Sequence, residues 1–296
     1  MILRAGSESG SRGLMPRLPF ARLLAAIGLA IFPTGAARAA QPDRPTVSTT
    51  PGSVVRWSAP GTKRCGMAGR SWEPLGETCY YPIDLLQKPG VIQIVRHGAG
   101  AHESARIKVV EHTSPTEELD LGDIPQGNPS AEDLKRNARD QAQVGKVWKR
   151  KEGPARFTLP LGPPAKPLPE GKTFGWKRVF NGKPAAQPHM GADYALPTGT
   201  PVLAAADGTV VIAEDLFYPG NAVFLDHGDG LVTMYFHLSA LDVQPGQEVK
   251  AGDPIGRVGE TGRATGPHLY FGVRWHKARI DPRFVLEDPA QIPAVD

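Results

Sequence analysis

Three separate stretches of the chain carry side chains that can bind a metal or move a proton. His189 and Asp193 lie four residues apart with a glycine between them, just ahead of an alternating strand pattern. Imidazole nitrogen and carboxylate oxygen are ordinary zinc ligands. His237 ends a second strand-like stretch, and His268 follows a Gly/Thr-rich loop at residues 259–267. Each histidine alone is more often structural, but their joint placement beside strands and glycine-rich loops indicates one site.

A fourth side chain is expected to share the space in front of His268. Residues i and i+2 of a strand face the same way, so Tyr270 should point into the same region as His268. His227 lies in a turn at residues 226–230, and we interpret it as structural.

Residues 171–281 have the pattern of one all-β unit that would position these side chains. Turn sequences such as Asp207-Gly208 and Pro245-Gly246 separate seven apolar stretches about ten residues apart. Because no helical pattern intervenes, they predict antiparallel sheets. The predicted strands are Ala192–Leu196, Pro201–Ala206, Thr209–Ala213, Ala222–Asp226, Leu231–His237, Pro254–Val258 and Leu269–Val273.

The N-terminal half predicts a smaller β domain at residues 40–128. Short strands broken by turns run from Val54 to about Val110. The chain has only two cysteines, Cys65 and Cys79, and in an oxidising compartment such a pair most often forms a disulfide. A domain of this size has a modest core, so a covalent staple is physically sensible.

A connecting helix and a proline-rich linker are predicted at residues 129–170. Ser130 is a suitable N-cap, acidic residues occupy the first turn, and Leu134, Ala138 and Ala142 recur at helical spacing. Five prolines between residues 157 and 169 then predict an extended segment on the surface.

Residues 1–39 have the pattern of a signal peptide. Arginines precede an apolar run of about ten residues, and Ala37-Arg38-Ala39 resembles a cleavage site. The true start is either Met1 or Met15. Removing residues 1–39 takes Lys+Arg from 34 to 29 and Asp+Glu from 30 to 29, so the mature chain is near neutral. We therefore predict an exported protein, periplasmic or extracellular, that has no nucleic-acid partner and keeps no membrane span.

Residues of about 171–285 closely resemble the lysostaphin-type (LytM-type) zinc endopeptidases, which cut peptidoglycan peptides. The resemblance rests on His189-Met190-Gly191-Ala192-Asp193, Tyr235-Phe236-His237-Leu238 and the run from Thr261 to Tyr270. It implies an all-β fold with an antiparallel β-sheet core, the lysostaphin-like duplicated hybrid motif, at residues 171–296. It also implies one Zn²⁺ per chain at the floor of a groove.

Carried over position by position, the resemblance makes His189 and Asp193 zinc ligands and His237 and His268 the catalytic pair. The family's third ligand is a histidine, whereas this chain has Tyr270 there. A phenol has an unperturbed pKa near 10, so it must lose a proton to bind zinc strongly. Three alternatives follow. Tyr270 completes a weaker zinc site, His268 moves onto the metal and leaves His237 as the sole base, or the site holds little metal.

The sequence is therefore consistent with two alternative functions. The first is an exported zinc endopeptidase that hydrolyses peptidoglycan peptides, with two histidines as base and oxyanion stabiliser. The second is a metal-poor homologue that binds cell-wall peptide or activates a murein amidase. The turn at residues 246–253 resembles that of biotinyl or lipoyl carrier domains, but no lysine lies at a matching hairpin tip.

Overall fold

The computed structural model describes residues 45–98, 100 and 102–295. The predicted signal peptide, residues 1–39, lies outside these residues. None of the helices in the described ranges is both long enough and apolar enough to cross a membrane.

The N-terminal part of the chain forms a five-stranded sheet and a separate strand pair. The sheet has the order β1-β7-β6-β3-β4, in which only β1 and β7 are parallel, and β2 pairs with β5. The strands are β1 (Thr46–Thr49), β2 (Val54–Ser58), β3 (Arg64–Met67), β4 (Arg70–Trp72), β5 (Thr78–Pro82), β6 (Gly90–His97) and β7 (His102–Val109).

A disulfide joins the two layers of this region. Cys65 on β3 and Cys79 on β5 are bonded, with their Cα atoms 5.5 Å apart, and both are fully buried. They lie in a core with Trp57, Tyr81 and Ile94. The sequence separation of 14 residues corresponds to about 3 kcal/mol of stabilisation in the chain-entropy model.

A three-stranded sheet links this region to the rest of the chain. Strand β8 (Thr116–Leu119) pairs in parallel with β9 (Lys177–Phe180), which pairs with β10 (Lys183–Pro184). Strand β8 belongs to the region that the sequence analysis assigned to the small N-terminal domain. It therefore forms an edge strand beside β9, which shortly precedes His189.

A nine-stranded antiparallel sheet forms the C-terminal part, and the predicted antiparallel β-sheet fold is confirmed. Its main order is β11-β18-β15-β14-β13-β16. Strand β17 joins at β15 and also pairs with β12, while β19 pairs with β18. The strands are β11 (Gly191–Tyr194), β12 (Pro201–Leu203), β13 (Gly208–Leu216), β14 (Gly220–Asp226), β15 (Leu231–Leu241), β16 (Glu248–Val249), β17 (Pro254–Val258), β18 (Leu269–Trp275) and β19 (Ala278–Ile280).

All seven predicted strands exist. Strand β17 has the predicted bounds, and the other six differ at one or both ends. The largest difference is in β15, which extends to Leu241, beyond the predicted end at His237. Strand β15 is central, because it pairs with β14, β17 and β18. One face of this sheet covers the main core, which includes Tyr235, Phe271 and Trp275.

The connecting helix α1 (Ala131–Val147) begins as predicted but packs through a different face. Ser130 is the N-cap, and its side chain and that of Asp133 form a capping box. The apolar positions chosen from the sequence are exposed, including Leu134 at 50 %. The helix is instead held to β13 by polar contacts, since Asp140 accepts from the Phe217 backbone N–H at 2.8 Å. Its buried residue is Val147.

The proline-rich segment was expected on the surface, and this prediction is wrong. Phe157, Leu161 and Ala165 are buried in the main core. The backbone N–H of Leu161 donates to Val285 and that of Gly162 donates to Ala205. The apolar side chains between the prolines can be buried because backbone carbonyls of Val285 and Ala205 satisfy the N–H groups of Leu161 and Gly162.

The C-terminal residues connect the large sheet to the N-terminal strands. After α2 (Arg283–Leu286) and a 3₁₀ turn at Pro289–Gln291, Ala294 forms a parallel bridge with Arg56 of β2. Val295 is buried in the N-terminal core. Asp84 also accepts hydrogen bonds from the backbone and side chain of Arg279. The two β regions are therefore joined by backbone pairing as well as by side chains.

The helix interface predicts unequal effects of two truncations. Val147→Ala removes two buried methyl groups next to Ile212 and Met234 and should lower the free energy of unfolding by about 1.5 kcal/mol. Leu134→Ala changes an exposed position and should stay within about 0.5 kcal/mol of the parent protein. Urea denaturation of both variants measures these free energies of unfolding. A larger loss of stability in Leu134→Ala than in Val147→Ala would contradict the observed packing of α1.

Candidate metal centre

The segment from His189 to Asp193 forms backbone hydrogen bonds with β18 on one side and with residues 172–176 on the other. Residues 191–194 form β11, in which Asp193 lies opposite Tyr270 of β18. On the other side, the backbone of Lys172 exchanges both hydrogen bonds with that of Asp193, and His189 donates from its backbone to Trp176. Residues 172–176 therefore fix the segment that carries both predicted metal ligands.

The two oxygens of the Asp193 carboxylate have different surroundings. Oδ2 accepts hydrogen bonds from Arg178 Nη2 at 2.5 Å and from the Thr173 hydroxyl at 3.1 Å. Oδ1 is buried and has no hydrogen-bond partner among the described residues. It lies 3.4 Å from Nε2 of His189 and 3.6 Å from Nε2 of His268. A buried carboxylate oxygen without a partner is unfavourable unless a further group binds it.

Three histidines present the same ring nitrogen to this region. In each, Nδ1 lies next to a carbonyl oxygen, which can only accept: Thr173 for His189 (3.2 Å), Thr261 for His237 (2.8 Å) and Gly266 for His268 (2.8 Å). Nδ1 therefore carries the proton in the neutral ring, and Nε2 keeps its lone pair. This arrangement is typical of histidines that bind a metal or accept a proton.

His237 occupies a strained position within β15. Its φ is 64°, a left-handed conformation that is uncommon for a residue other than glycine. The pairing register of β14 and β15 shifts next to it, so the strand bulges there. The predicted strand ended at His237, whereas β15 continues through the bulge to Leu241. The bulge brings the imidazole of His237 to within 4.7 Å of that of His268, measured between ring centroids.

Burial keeps two of these histidines neutral. It lowers the pKa of His189 to about 4, although the Asp193 carboxylate opposes this shift. It also lowers the pKa of His237 to about 3, and the nearby His268 adds to the effect. Burial opposes the ionisation of Asp193, but His189 and Arg178 outweigh it and lower the pKa of the carboxyl. At neutral pH the centre therefore contains neutral imidazoles and an ionised carboxylate, the protonation states that metal binding requires.

Tyr270 shares the site, with its ring centroid 5.1 Å from that of His189 and 6.2 Å from that of His237. The ring stacks on Phe236, with centroids 4.6 Å apart and planes inclined by 4°. A methyl group on Gly191 would lie 2.5 Å from Tyr270 Cζ, and one on Gly272 would lie 3.0 Å from its hydroxyl. The phenol therefore leans along β18 towards Gly272, whereas His268 lies on the opposite side of Tyr270 in sequence. Burial, with a contribution from Asp193, raises the pKa of Tyr270 above its usual value.

The donor set fits a zinc ion in part. In a tetrahedral site with bonds of about 2.0–2.1 Å, ligand atoms lie about 3.3 Å apart, close to the 3.4 Å between His189 Nε2 and Asp193 Oδ1. Within the described ranges, no three His, Cys, Asp or Glu side chains already converge in metal-binding geometry. The unpartnered Asp193 Oδ1 nevertheless lies near two nitrogen donors, Nε2 of His189 at 3.4 Å and Nε2 of His268 at 3.6 Å.

A groove opens in front of these residues. Its volume is about 500 Å³, large enough for several peptide atoms. The lining combines the candidate centre with mostly apolar side chains and two arginines: Gln141, Arg178, Phe180, Ala185, Ala186, Gln187, Pro188, His189, Met190, Tyr218, Pro219, Phe236, His237, Arg263 and Tyr270. We call this cavity the groove.

Sequence reasoning missed two residues that hold Asp193. Thr173 has a φ of 71° and contacts both His189 and Asp193. Arg178 links Asp193 to Glu117 of β8, with Nε 3.0 Å from that carboxylate. Neither residue belongs to a recognisable motif, and their roles depend on the three-dimensional path of residues 172–178.

His227 has the structural surroundings that were expected. It is fully buried, its Nδ1 donates to the Asp207 carbonyl at 2.8 Å, and its Nε2 accepts from the Thr233 hydroxyl at 2.7 Å. Burial lowers its pKa to about 4. This histidine therefore stabilises the sheet and does not line the groove.

The chain is similar in sequence and in structure to known peptidases. Residues 187–282 match peptidase family M23. A crystal structure of a putative peptidase M23 from Pseudomonas aeruginosa superposes with a TM-score of 0.60 and 32% sequence identity, covering 80% of this chain and 94% of that one.

Two curated proteins match over shorter stretches. The peptidoglycan DD-endopeptidase ShyA of Vibrio cholerae is 49% identical over 84 residues, which are 28% of this chain and 20% of that protein. The DD-carboxypeptidase/endopeptidase Mpg of Neisseria meningitidis is 46% identical over 108 residues, 36% of this chain and 25% of that protein. The chain thus spans a quarter or less of these two proteins.

The buried neutral histidines predict a loss of stability in acid. The unfolded chain takes up protons near pH 6.5, whereas folded His189, His227 and His237 do so only near pH 3 to 4. The free energy of unfolding should therefore fall as the pH drops from about 6.5 to 4. His227→Gln should reduce this fall by about 3 kcal/mol.

Urea denaturation of chelator-treated protein at pH 7 and pH 4.5 measures this difference. His112→Gln is the matched control, because His112 is exposed. An unchanged pH dependence in His227→Gln would show that His227 titrates as it does in the unfolded chain.

Proposed function

We propose that this chain, which belongs to peptidase family M23, is a zinc-dependent endopeptidase that hydrolyses peptide bonds in bacterial peptidoglycan. One observation carries the proposal: Oδ1 of Asp193 is buried without a hydrogen-bond partner among the described residues, and it lies 3.4 Å from Nε2 of His189, which lines the groove, and 3.6 Å from Nε2 of His268. The names of the curated relatives support the choice of peptidoglycan as substrate.

His189 Nε2 and Asp193 Oδ1 would be two of the metal ligands. Tyr270 and His268 compete for the third position, and the geometry favours His268. Its Nε2 lies 3.6 Å from Asp193 Oδ1, while the phenol leans towards Gly272 and its raised pKa opposes the tyrosinate form. Arg178 and Thr173 donate hydrogen bonds to the other carboxylate oxygen and so orient Oδ1.

A bound zinc ion would polarise the scissile carbonyl and lower the pKa of water. The residues of the chain supply the remaining chemistry. His237 is neutral and its Nε2 has a free lone pair, so it can accept a proton from the attacking water. It then donates this proton to the amide nitrogen as the carbon–nitrogen bond breaks. The Thr261 carbonyl fixes the orientation of the His237 ring by accepting from Nδ1.

An exported location agrees with this substrate. Peptidoglycan lies outside the cytoplasm, and residues 1–39 have the sequence pattern of a signal peptide. The disulfide between Cys65 and Cys79 also suits an oxidising compartment. We therefore propose that the chain acts in the cell envelope or outside the cell.

A second candidate function follows from Tyr270. If the phenol and the Arg178 guanidinium prevent metal binding, the groove would bind cell-wall peptide without cutting it, and the chain could activate a murein amidase. The observation that favours this alternative is the stacked, protonated Tyr270 at the place of the family's histidine.

Hydrolysis of purified sacculi tests the enzyme proposal. With one equivalent of zinc, the full chain should release soluble peptides, and a chelator should stop the release. His237→Ala should slow release at least about a hundredfold, because it removes the general base. His112→Ala should leave the rate unchanged, since His112 is exposed. Sacculi that stay intact with added zinc would favour the amidase-activating or peptide-binding alternative.

Zinc titrations of variants identify the third ligand. Tyr270→Phe should leave the zinc affinity unchanged, whereas His268→Ala should weaken it at least about tenfold. Tyr270→His restores the family's ligand, so it should raise the affinity and make zinc binding tolerant of His268→Ala. Weaker zinc binding by Tyr270→Phe, with His268→Ala unaffected, would instead assign the position to tyrosinate.

A further inference from the structure

A second arginine of the groove has no acidic partner. Arg178 is neutralised by ion pairs with Glu117 and Asp193. For Arg263, by contrast, the described part of the chain provides no ion pair and no acceptor for its guanidinium. Its side chain lines the same groove as His189 and His237. The groove wall therefore contains one positive charge without a counter-ion among the described residues.

The guanidinium of Arg263 lies over two aromatic rings. Its Cζ lies 4.1 Å from the ring centroid of Phe180 and 4.5 Å from that of Tyr218. Such stacking leaves the N–H groups at the edge of the plane free to donate. Burial lowers the pKa of Arg263, although the group stays charged at neutral pH.

The backbone that carries Arg263 is also fixed. Its N–H donates to the Tyr218 carbonyl at 2.8 Å. The preceding Gly262 has a φ of 72°, and a Cβ there would lie 2.3 Å from the backbone nitrogen of Gly220. This close approach of two backbones is possible only with glycine. The position of Arg263 is therefore preorganised, so little side-chain entropy is lost when it binds an anion.

We propose that Arg263 is the specificity-determining residue of the groove and binds a free carboxylate of the substrate peptide beside the scissile bond. This inference rests on the proposed function, because it takes the groove as the substrate site. A stacked guanidinium presents two parallel N–H groups that match the two oxygens of a carboxylate.

The surroundings favour a single carboxylate over a phosphate or a polyanion. Arg178 is already paired, so Arg263 is the one cation of the groove lining that is uncommitted. Much of the remaining groove lining is apolar, including Pro188, Met190 and Pro219. They suit the aliphatic part of a peptide with one charged end.

The test compares a cross-linked muropeptide dimer with the same dimer in which the free carboxylates are amidated. For the full chain with zinc, amidation should raise KM about tenfold to a hundredfold with little change in kcat. Arg263→Met should cause a similar rise with the carboxylate substrate and none with the amidated one. Arg263→Lys should recover only part of the loss, because an ammonium cannot bind in the bidentate mode. Arg257→Met is the matched control, since Arg257 lies on β17 outside the groove lining.

Binding of both dimers to chelator-treated protein separates this inference from the proposed function. If the carboxylate dimer binds about tenfold or more tightly than the amidated dimer, and Arg263→Met removes the difference, the inference holds even when no hydrolysis occurs. If zinc-loaded protein hydrolyses both dimers with the same KM, the endopeptidase proposal stands and the role of Arg263 is overturned. If Arg263→Met does not fold, the relative affinities of the parent protein for the two dimers decide whether the inference holds.

Discussion

The candidate centre depends on the hydrogen bonds that hold one oxygen of the Asp193 carboxylate and leave the other without a partner among the described residues. Arg178 and Thr173 fully engage Oδ2, and this fixes the rotation of the carboxylate. Oδ1 lies close to Nε2 of His189 and of His268, and it has no hydrogen-bond partner among the described residues. A buried carboxylate oxygen without a partner is unfavourable unless a further group binds it. This oxygen is the observation from which we propose a cation site.

The large sheet provides the rigidity that this arrangement needs. Strand β18 places Tyr270 opposite Asp193 of β11, His268 directly precedes β18, and β15 carries His237 in its bulge. The N-terminal region contributes as well, because Glu117 of β8 anchors Arg178 and so supports Asp193 indirectly. Substitutions in the N-terminal half can therefore alter the centre without touching any of its histidines.

Local patterns were sufficient to predict the sheet, because alternation and turn sequences depend on neighbouring residues. Motif spacing also singled out His189, Asp193, His237 and His268, which the fold brings close together, and their roles stay a prediction. Contacts between residues that are distant in the sequence could not be predicted in this way. Arg178, Thr173 and the buried face of α1 lack local signals, and the proline-rich segment was misjudged because its buried residues are separated by prolines. The bulge at His237 was also missed, since φ values above zero at a histidine leave no mark in the sequence.

Crystallographic location of zinc tests the central claim most directly. Crystals of the full chain grown with one equivalent of zinc would be measured on both sides of the zinc absorption edge. The proposed centre predicts one anomalous peak within about 2.2 Å of Asp193 Oδ1, His189 Nε2 and His268 Nε2. Zinc absent from this position at full loading, with Asp193 Oδ1 still unpartnered, would contradict the assignment of the site as a metal centre.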